Sequence, residues 1–134
     1  MNSEKSEKKE SPARKIKAES REDYLKAIYV LSEKNGRKIR PAELAKYMQF
    51  SNSSVSRALG ILKLERLIQM DENYFICLTE EGQGIARSIY DKHCFFRQRL
   101  LDAGVEETVA SKEAGRLEHA ISDESFKKLV ATLL

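Results

Sequence analysis

Tryptophan is absent from this 134-residue chain, and cysteine, proline and histidine occur only twice each. Cys77 and Cys94 stand in unlike contexts without CxxC spacing, which argues against a disulfide or a thiolate zinc site. Both are expected to be reduced packing residues. No apolar run approaches the ~20 residues that span a bilayer, and the N-terminus carries no signal-type apolar segment. A cytoplasmic location with no membrane partner is the expectation. There is no Gly-rich phosphate loop and no nucleophile motif, and only Glu118-His119 sets an acid beside a base, so an enzyme is the weakest reading. With 41% hydrophobic residues the chain can bury one moderate core, or two small ones sharing a long helix, but not two large domains.

Charge is plentiful and unevenly placed. The formal net charge is +3, yet residues 37–67 hold seven basic against two acidic side chains, while residues 68–134 hold eight basic against twelve acidic. A basic segment joined to an acidic one suits a nucleic-acid reader attached to an assembly or cation-sensing part. An ordinary basic loop formed by Arg37, Lys38 and Arg40 is the plainer alternative. Residues 1–19 hold six basic and four acidic side chains with a single Ile, too little apolar surface to offset ordering, so a flexible tail is expected there.

The organising stretch runs from Arg40 to Leu67. Pro41 suits a first helical position and Glu43 adds negative charge in the first turn, so a short helix starts there with Leu44, Ala45 and Met48 as its apolar stripe. Gln49-Phe50 makes a turn, and Ser51 caps a second helix by accepting from the N–H of Ser53 or Ser54. On that helix Val55, Ala58, Leu59 and Leu62 recur at helical spacing, with Ser53, Ser56, Arg57 and Gly60 on the opposite side. Short hydroxyls and an arginine suit base edges and phosphates, so Asn52, Ser53, Ser54, Ser56, Arg57 and Lys63 are the candidate DNA contacts, flanked by Arg37 and Arg40. A solvated amphipathic hairpin is the competing reading.

Upstream, Ser20 is expected to open a helix with Tyr24, Leu25, Ile28 and Leu31 buried, Asp23 in the place of a capping-box acid, and Asn35-Gly36 as its end. Downstream, Ile68–Met70 and Tyr74–Leu78 are β-prone runs around a three-residue loop, Asp71-Glu72-Asn73. The predicted fold is mainly α: a winged helix-turn-helix with a small β-hairpin wing over residues 20–79, then a helical dimerisation part over 80–134. Thr79 caps a long helix reaching Asp102-Ala103-Gly104, whose stripe of Ile85, Ile89, His93, Phe96 and Leu100 is too long for a winged helix to cover alone. On its own, His93 reads as a half-buried core histidine. A helical segment to Ile121 and a last helix capped by Ser122, with Phe126, Leu129, Val130 and Leu133 in register, leave an apolar face that predicts a homodimer.

The start SREDYLKAIYVL, the turn SNSSVSRAL, the LTEEG after the wing and the stretch EAGRLEHAISDE together resemble the metal-dependent repressors of the diphtheria-toxin-repressor and manganese-transport-regulator family, in their short two-domain form. The resemblance covers about residues 20–134. It implies a DNA-binding transcriptional regulator, acting as a repressor under a divalent transition metal such as Mn or Fe, about one ion per subunit. Its partner would be an operator of two-fold symmetry. The implied metal ligands are Asp23, His93, Glu118 and His119, and both histidines of the chain fall on ligand positions. Lys26 stands where manganese-type members have a glutamate, and Gly115 where the family has a glutamate or cysteine, so a two-metal cluster is not expected.

Lys26 leaves two arrangements open. Its ammonium, one turn from Asp23, can replace the metal charge and yield a metal-independent winged-helix DNA-binding regulator, or its stem can carry it out to solvent. A winged helix used only for protein contacts is the third functional class, with Ile61 and Leu64 as the apolar residues that would serve it.

Overall fold

The computed structural model describes residues 18–133. The tail read over residues 1–19 lies outside the described residues except for Ala18 and Glu19, which open the first helix. The chain divides into two compact units, one ending at Ala86 and the other beginning at Arg87.

In the first unit, α1 spans Ala18–Ile28 and continues as a wider π-helical turn, Tyr29–Lys34. Ser20 sits inside α1, so neither the Ser20 cap nor the Asp23 capping box forms. Ala and Glu are strong helix formers, and Ala18-Glu19 carry the helix past the expected start. The widening has a local cause. The Ser32 hydroxyl donates to the Ile28 carbonyl at 2.5 Å and the Arg37 N–H reaches the Ser32 carbonyl at 3.1 Å, a five-residue step. Gly36 then takes a φ of 70°, which a residue without Cβ adopts readily.

Pro41–Met48 forms α2 and Asn52–Leu64 forms α3. Between them Gln49 turns the chain in the left-handed region, and Ser51 caps α3 by accepting from the Ser54 N–H at 3.1 Å. The anticipated stripe of Val55, Ala58, Leu59 and Leu62 is buried. With Leu25, Ile28, Ile39, Leu44, Ile68 and Ile76 it makes one continuous core.

Strands β1 (Ile68–Met70) and β2 (Ile76–Leu78) pair antiparallel, Gln69 opposite Cys77, and Ile39 adds a single bridge to Ile76. The wing loop is longer than the expected three residues. The Asp71 carboxylate accepts from the N–H groups of Asn73 at 2.8 Å and Phe75 at 3.0 Å, taking Tyr74 and Phe75 out of the strand. Here a side-chain acceptor outcompetes β propensity. These amide bonds, with the Lys38 ammonium 3.5 Å away, hold the Asp71 carboxyl below the usual carboxylate range.

A 23-residue helix, α4 (Glu80–Asp102), crosses the division between the units. Thr79 begins it as expected, its hydroxyl accepting from the Gly82 N–H at 3.1 Å and donating to the Arg66 carbonyl at 2.8 Å. In the second unit α4 is followed by α5 (Glu107–Ala120) and α6 (Asp123–Ala131), with Ser122 capping α6. Buried Ala110, Ala114 and Glu118 recur every fourth residue along α5. Phe126 of α6 meets Phe95 of α4 edge-on, ring centroids 5.3 Å apart. No residue of α6 is buried, and Leu129 and Leu133 stay exposed. Cys94 is also exposed, because it falls on the outer side of α4, so it is not the packing residue its apolar character suggested.

Candidate nucleic-acid interface and candidate metal centre

The caps on either side of Gln49-Phe50 fix α3 against α2, and the buried stripe fixes its rotation. That rotation leaves Asn52, Ser53, Ser56, Arg57 and Gly60 exposed along one side. Nothing would meet a Cβ placed on Gly60 within 4 Å, so the helix surface is open there. Ser54 lies differently: half-buried, its hydroxyl accepts from Ser51 at 2.9 Å as part of the cap. Burial raises the Tyr24 hydroxyl above its ordinary range, and the positive charge of Arg57 opposes that rise.

The flanking basic residues are held individually. Arg37 pairs with Glu43. Arg40 donates to the Asn73 carbonyl at 2.7 Å and lies over the Phe75 ring, 4.2 Å from its centroid, which ties it to the wing. Lys63 is exposed and, with Ser56, Gly60 and Tyr74, lines a cleft of about 300 Å³ between α3 and the wing. Sequence reasoning missed Tyr74, which is 70% exposed at the wing tip with φ 66°. The signal available was Asp71 followed by Asn73, a pattern typical of side-chain-capped turns. Leu64 is 85% exposed while Ile61 is half-buried.

In the second unit three of the expected ligand residues come together. His93 on α4 places Nδ1 2.8 Å from Glu118 Oε1, and His119 places Nε2 3.3 Å from Glu118 Oε2. Each oxygen of one carboxylate thus faces an imidazole. The carboxylate is 1% exposed. A buried carboxylate is costly unless cationic or hydrogen-bonding groups surround it, and imidazole with carboxylate is a donor set suited to Mn, Fe, Co, Ni or Zn. The residues present therefore fit a divalent ion. Asp23 and Lys26 lie half-buried on α1 of the first unit. Gly115 is on α5, where a Cβ would meet nothing within 4 Å.

A feature the sequence reading did not single out lies beside this cluster. Lys92 is buried, and its ammonium meets both the Ile121 carbonyl and Asp123 Oδ1 at 2.8 Å. Its place three residues after Ile89, on the apolar stripe, was the available signal. The bonds from Lys92 and from Ser88 hold the Asp123 carboxyl below its ordinary range.

A winged helix-turn-helix followed by a helical unit with a His-Glu-His cluster is the build of a DNA-binding transcriptional regulator with a metal-responsive part. Residues 18–72 match the family model described as iron dependent repressor, N-terminal DNA binding domain, and residues 79–134 match iron dependent repressor, metal binding and dimerisation domain. An HTH-type transcriptional regulator of Methanocaldococcus jannaschii is 39% identical over 115 residues, covering 84% of this chain and 90% of that protein. The diphtheria toxin repressor of Corynebacterium glutamicum is 30% identical over 113 residues, covering 84% of this chain and 49% of the repressor. Among solved structures, the manganese regulator SloR superposes with a TM-score of 0.69 at 35% identity, covering 83% of this chain and 53% of SloR. ScaR with bound Zn2+ also gives 0.69, at 31% identity over 84% of this chain and 53% of ScaR. The chain belongs to the iron-dependent repressor family, a family of metal-dependent transcriptional regulators. It spans about half the length of the diphtheria toxin repressor and SloR. Among the described residues no helix is long and apolar enough to cross a membrane.

Proposed function

We propose that this chain is a cytoplasmic, homodimeric repressor whose affinity for an operator of two-fold symmetry rises when each subunit takes up about one Mn or Fe ion. Residues 20–79 serve as the DNA-binding domain and residues 80–134 as the sensing and dimerisation domain. The observation that carries the reading is the buried Glu118 carboxylate set between the imidazoles of His93 and His119. These three residues would hold the ion, and the family resemblance adds Asp23 as a fourth donor. When bound, the ion supplies positive charge to a carboxylate that burial otherwise penalises.

On the DNA side, Asn52, Ser53, Ser56 and Arg57 reach base edges and phosphates from α3, Ser54 holds the cap, and Lys63, Arg37 and Arg40 supply flanking positive charge. A single short helix reads few base pairs, so a pair of helices on half-sites one turn apart suits a dimer. Manganese regulation is reported in the name of SloR and iron in the family description, and both ions accept nitrogen and oxygen donors.

The test is a titration of the chelator-treated protein with Mn2+ and Fe2+, with operator binding followed by fluorescence anisotropy. Metal binding near one equivalent should tighten DNA binding by a coupling of roughly 1–3 kcal/mol, and DNA should tighten metal binding by the same factor. His119→Ala should abolish the stimulation. Absence of stoichiometric binding, with DNA affinity indifferent to chelator, would favour the arrangement in which Lys26 replaces the ion.

A further inference from the structure

We propose that Lys92 is a positioning residue for the metal cluster: it clamps the end of α5 that carries Glu118 and His119 onto the stretch of α4 that carries His93. The inference rests on the reading that these three residues hold the ion. Lys92 neighbours His93 in sequence, but successive helical residues point about 100° apart, so it does not join the cluster. Instead its ammonium reaches the Ile121 carbonyl, two residues past His119, and the Asp123 carboxylate, both at 2.8 Å. One turn earlier on α4, Ser88 donates to the same carboxylate oxygen at 2.7 Å.

Three features make this more than a surface ion pair. The Lys92 side chain is only 5% exposed, so its charge must be neutralised and hydrogen-bonded where it lies. Ile121 ends α5, whose terminal carbonyls attract a cation, and Asp123 opens α6, whose first turn favours an anion. The lysine therefore engages the junction at the point where both helix ends complement it. At the other end of α5, Arg97 binds Glu107 at 2.8 Å and Ser111 at 2.9 Å. Arg97 thus ties the far end of α5 to α4, while Lys92 acts at the end that carries Glu118 and His119. Metal donors must be held to within about 0.5 Å, which leaves little tolerance for a loosened helix end.

The experiment uses the full chain and Co2+, whose visible absorption reports the coordination sphere. Lys92→Met should bind Co2+ roughly 10-fold or more weakly, the size expected when a group orienting the ligands is lost, with an altered spectrum. Lys92→Arg should recover affinity and spectrum in part. Arg97→Met, which loosens the far end of α5, should lower the thermal midpoint while leaving the spectrum that of the parent, a separation that a purely structural role for Lys92 would not produce. If Lys92→Met does not fold, Asp123→Asn is the substitute: the lysine keeps its bond to the Ile121 carbonyl, so the junction still forms, but loss of the carboxylate that neutralises the ammonium loosens the clamp and should weaken Co2+ binding by a smaller factor. Parent-like affinity and spectrum in the lysine variant, or in its Asp123→Asn substitute, would overturn the clamp while leaving the metal cluster intact. A parent that takes up no Co2+, Mn2+ or Fe2+ would overturn the cluster itself, and the clamp with it.

Discussion

Gly82 occupies the first turn of α4, where replacing glycine by alanine in a helix ordinarily stabilises by about 1 kcal/mol. Here the sign should reverse. A Cβ on Gly82 would stand 2.0 Å from the Leu67 carbonyl oxygen and 3.0 Å from its carbon, so backbone has to move. That carbonyl accepts from the Thr79 N–H at 3.1 Å, and the Leu67 N–H is itself bound to the Leu62 carbonyl at 3.0 Å. Relieving the clash displaces either the start of α4 or the turn after α3, and the Thr79 bonds to Leu67 and Arg66 would stretch or break. Two hydrogen bonds at ~1 kcal/mol each, plus ~1–3 kcal/mol of overpacking strain, outweigh the helical gain and give a net loss of ~2–4 kcal/mol. Urea unfolding followed by circular dichroism at fixed protein concentration reads this as a lower midpoint with unchanged slope. Gly84→Ala is the control: with nothing within 4 Å of its Cβ, it should stabilise by ~0.5–1 kcal/mol. A Gly82→Ala protein as stable as its parent would refute the steric argument.

Arg57→Ala should weaken operator binding by ~1–3 kcal/mol if the guanidinium contacts a base edge, and unchanged anisotropy titrations would remove Arg57 from the interface. Lys26→Glu should raise Mn2+ affinity in calorimetric titration by restoring a carboxylate at a position where the family resemblance places a ligand; equal or weaker binding counts against that alignment. The stabilisation from Asp123, whose folded pKa is lowered chiefly by Lys92, is fully present above the ordinary carboxylate value of about 3.9 and lost as pH falls through the folded value. Asp123→Asn should therefore unfold at lower urea than the parent at pH 7, with the gap closing towards pH 3. A gap independent of pH would show that the charge of Asp123 is not what stabilises.

Local chemistry was the legible part of this chain. Pro41, the Gln49-Phe50 turn, the Ser51 cap and the stripe from Val55 to Leu62 specify their elements within a few residues, and the structure follows them. Where two local signals compete, the sequence reading went astray. At the wing, the Asp71 side chain overrides strand formers at Tyr74 and Phe75. At α1, the preference of Ala18-Glu19 overrides a serine cap. The π-helical turn left no trace, because the spacing of Leu25, Ile28 and Leu31 reads as ordinary helix up to the Ser32 bond that widens it. His93 and Glu118 lie 25 residues apart and touch only through the pairing of two helices, so spacing alone gave no hint of their contact and a family resemblance was needed. Lys92 and Asp123 escaped for the same reason. Their partnership spans 31 positions, and nothing in the composition of either neighbourhood announces it.

The wing loop is tied at both margins, by the Asp71 carboxylate to two amides and by Arg40 to the Asn73 carbonyl. In addition, the Tyr74 N–H is bound to the Asp71 carbonyl at 2.9 Å. Three consecutive amides at the tip of an exposed hairpin are therefore engaged before any partner arrives. A loop in that condition has little motion left to surrender on contact, so its share of the entropic penalty of association is met when the chain folds. Its amide protons should exchange with solvent far more slowly than their exposure implies, and docking should slow that exchange only slightly more.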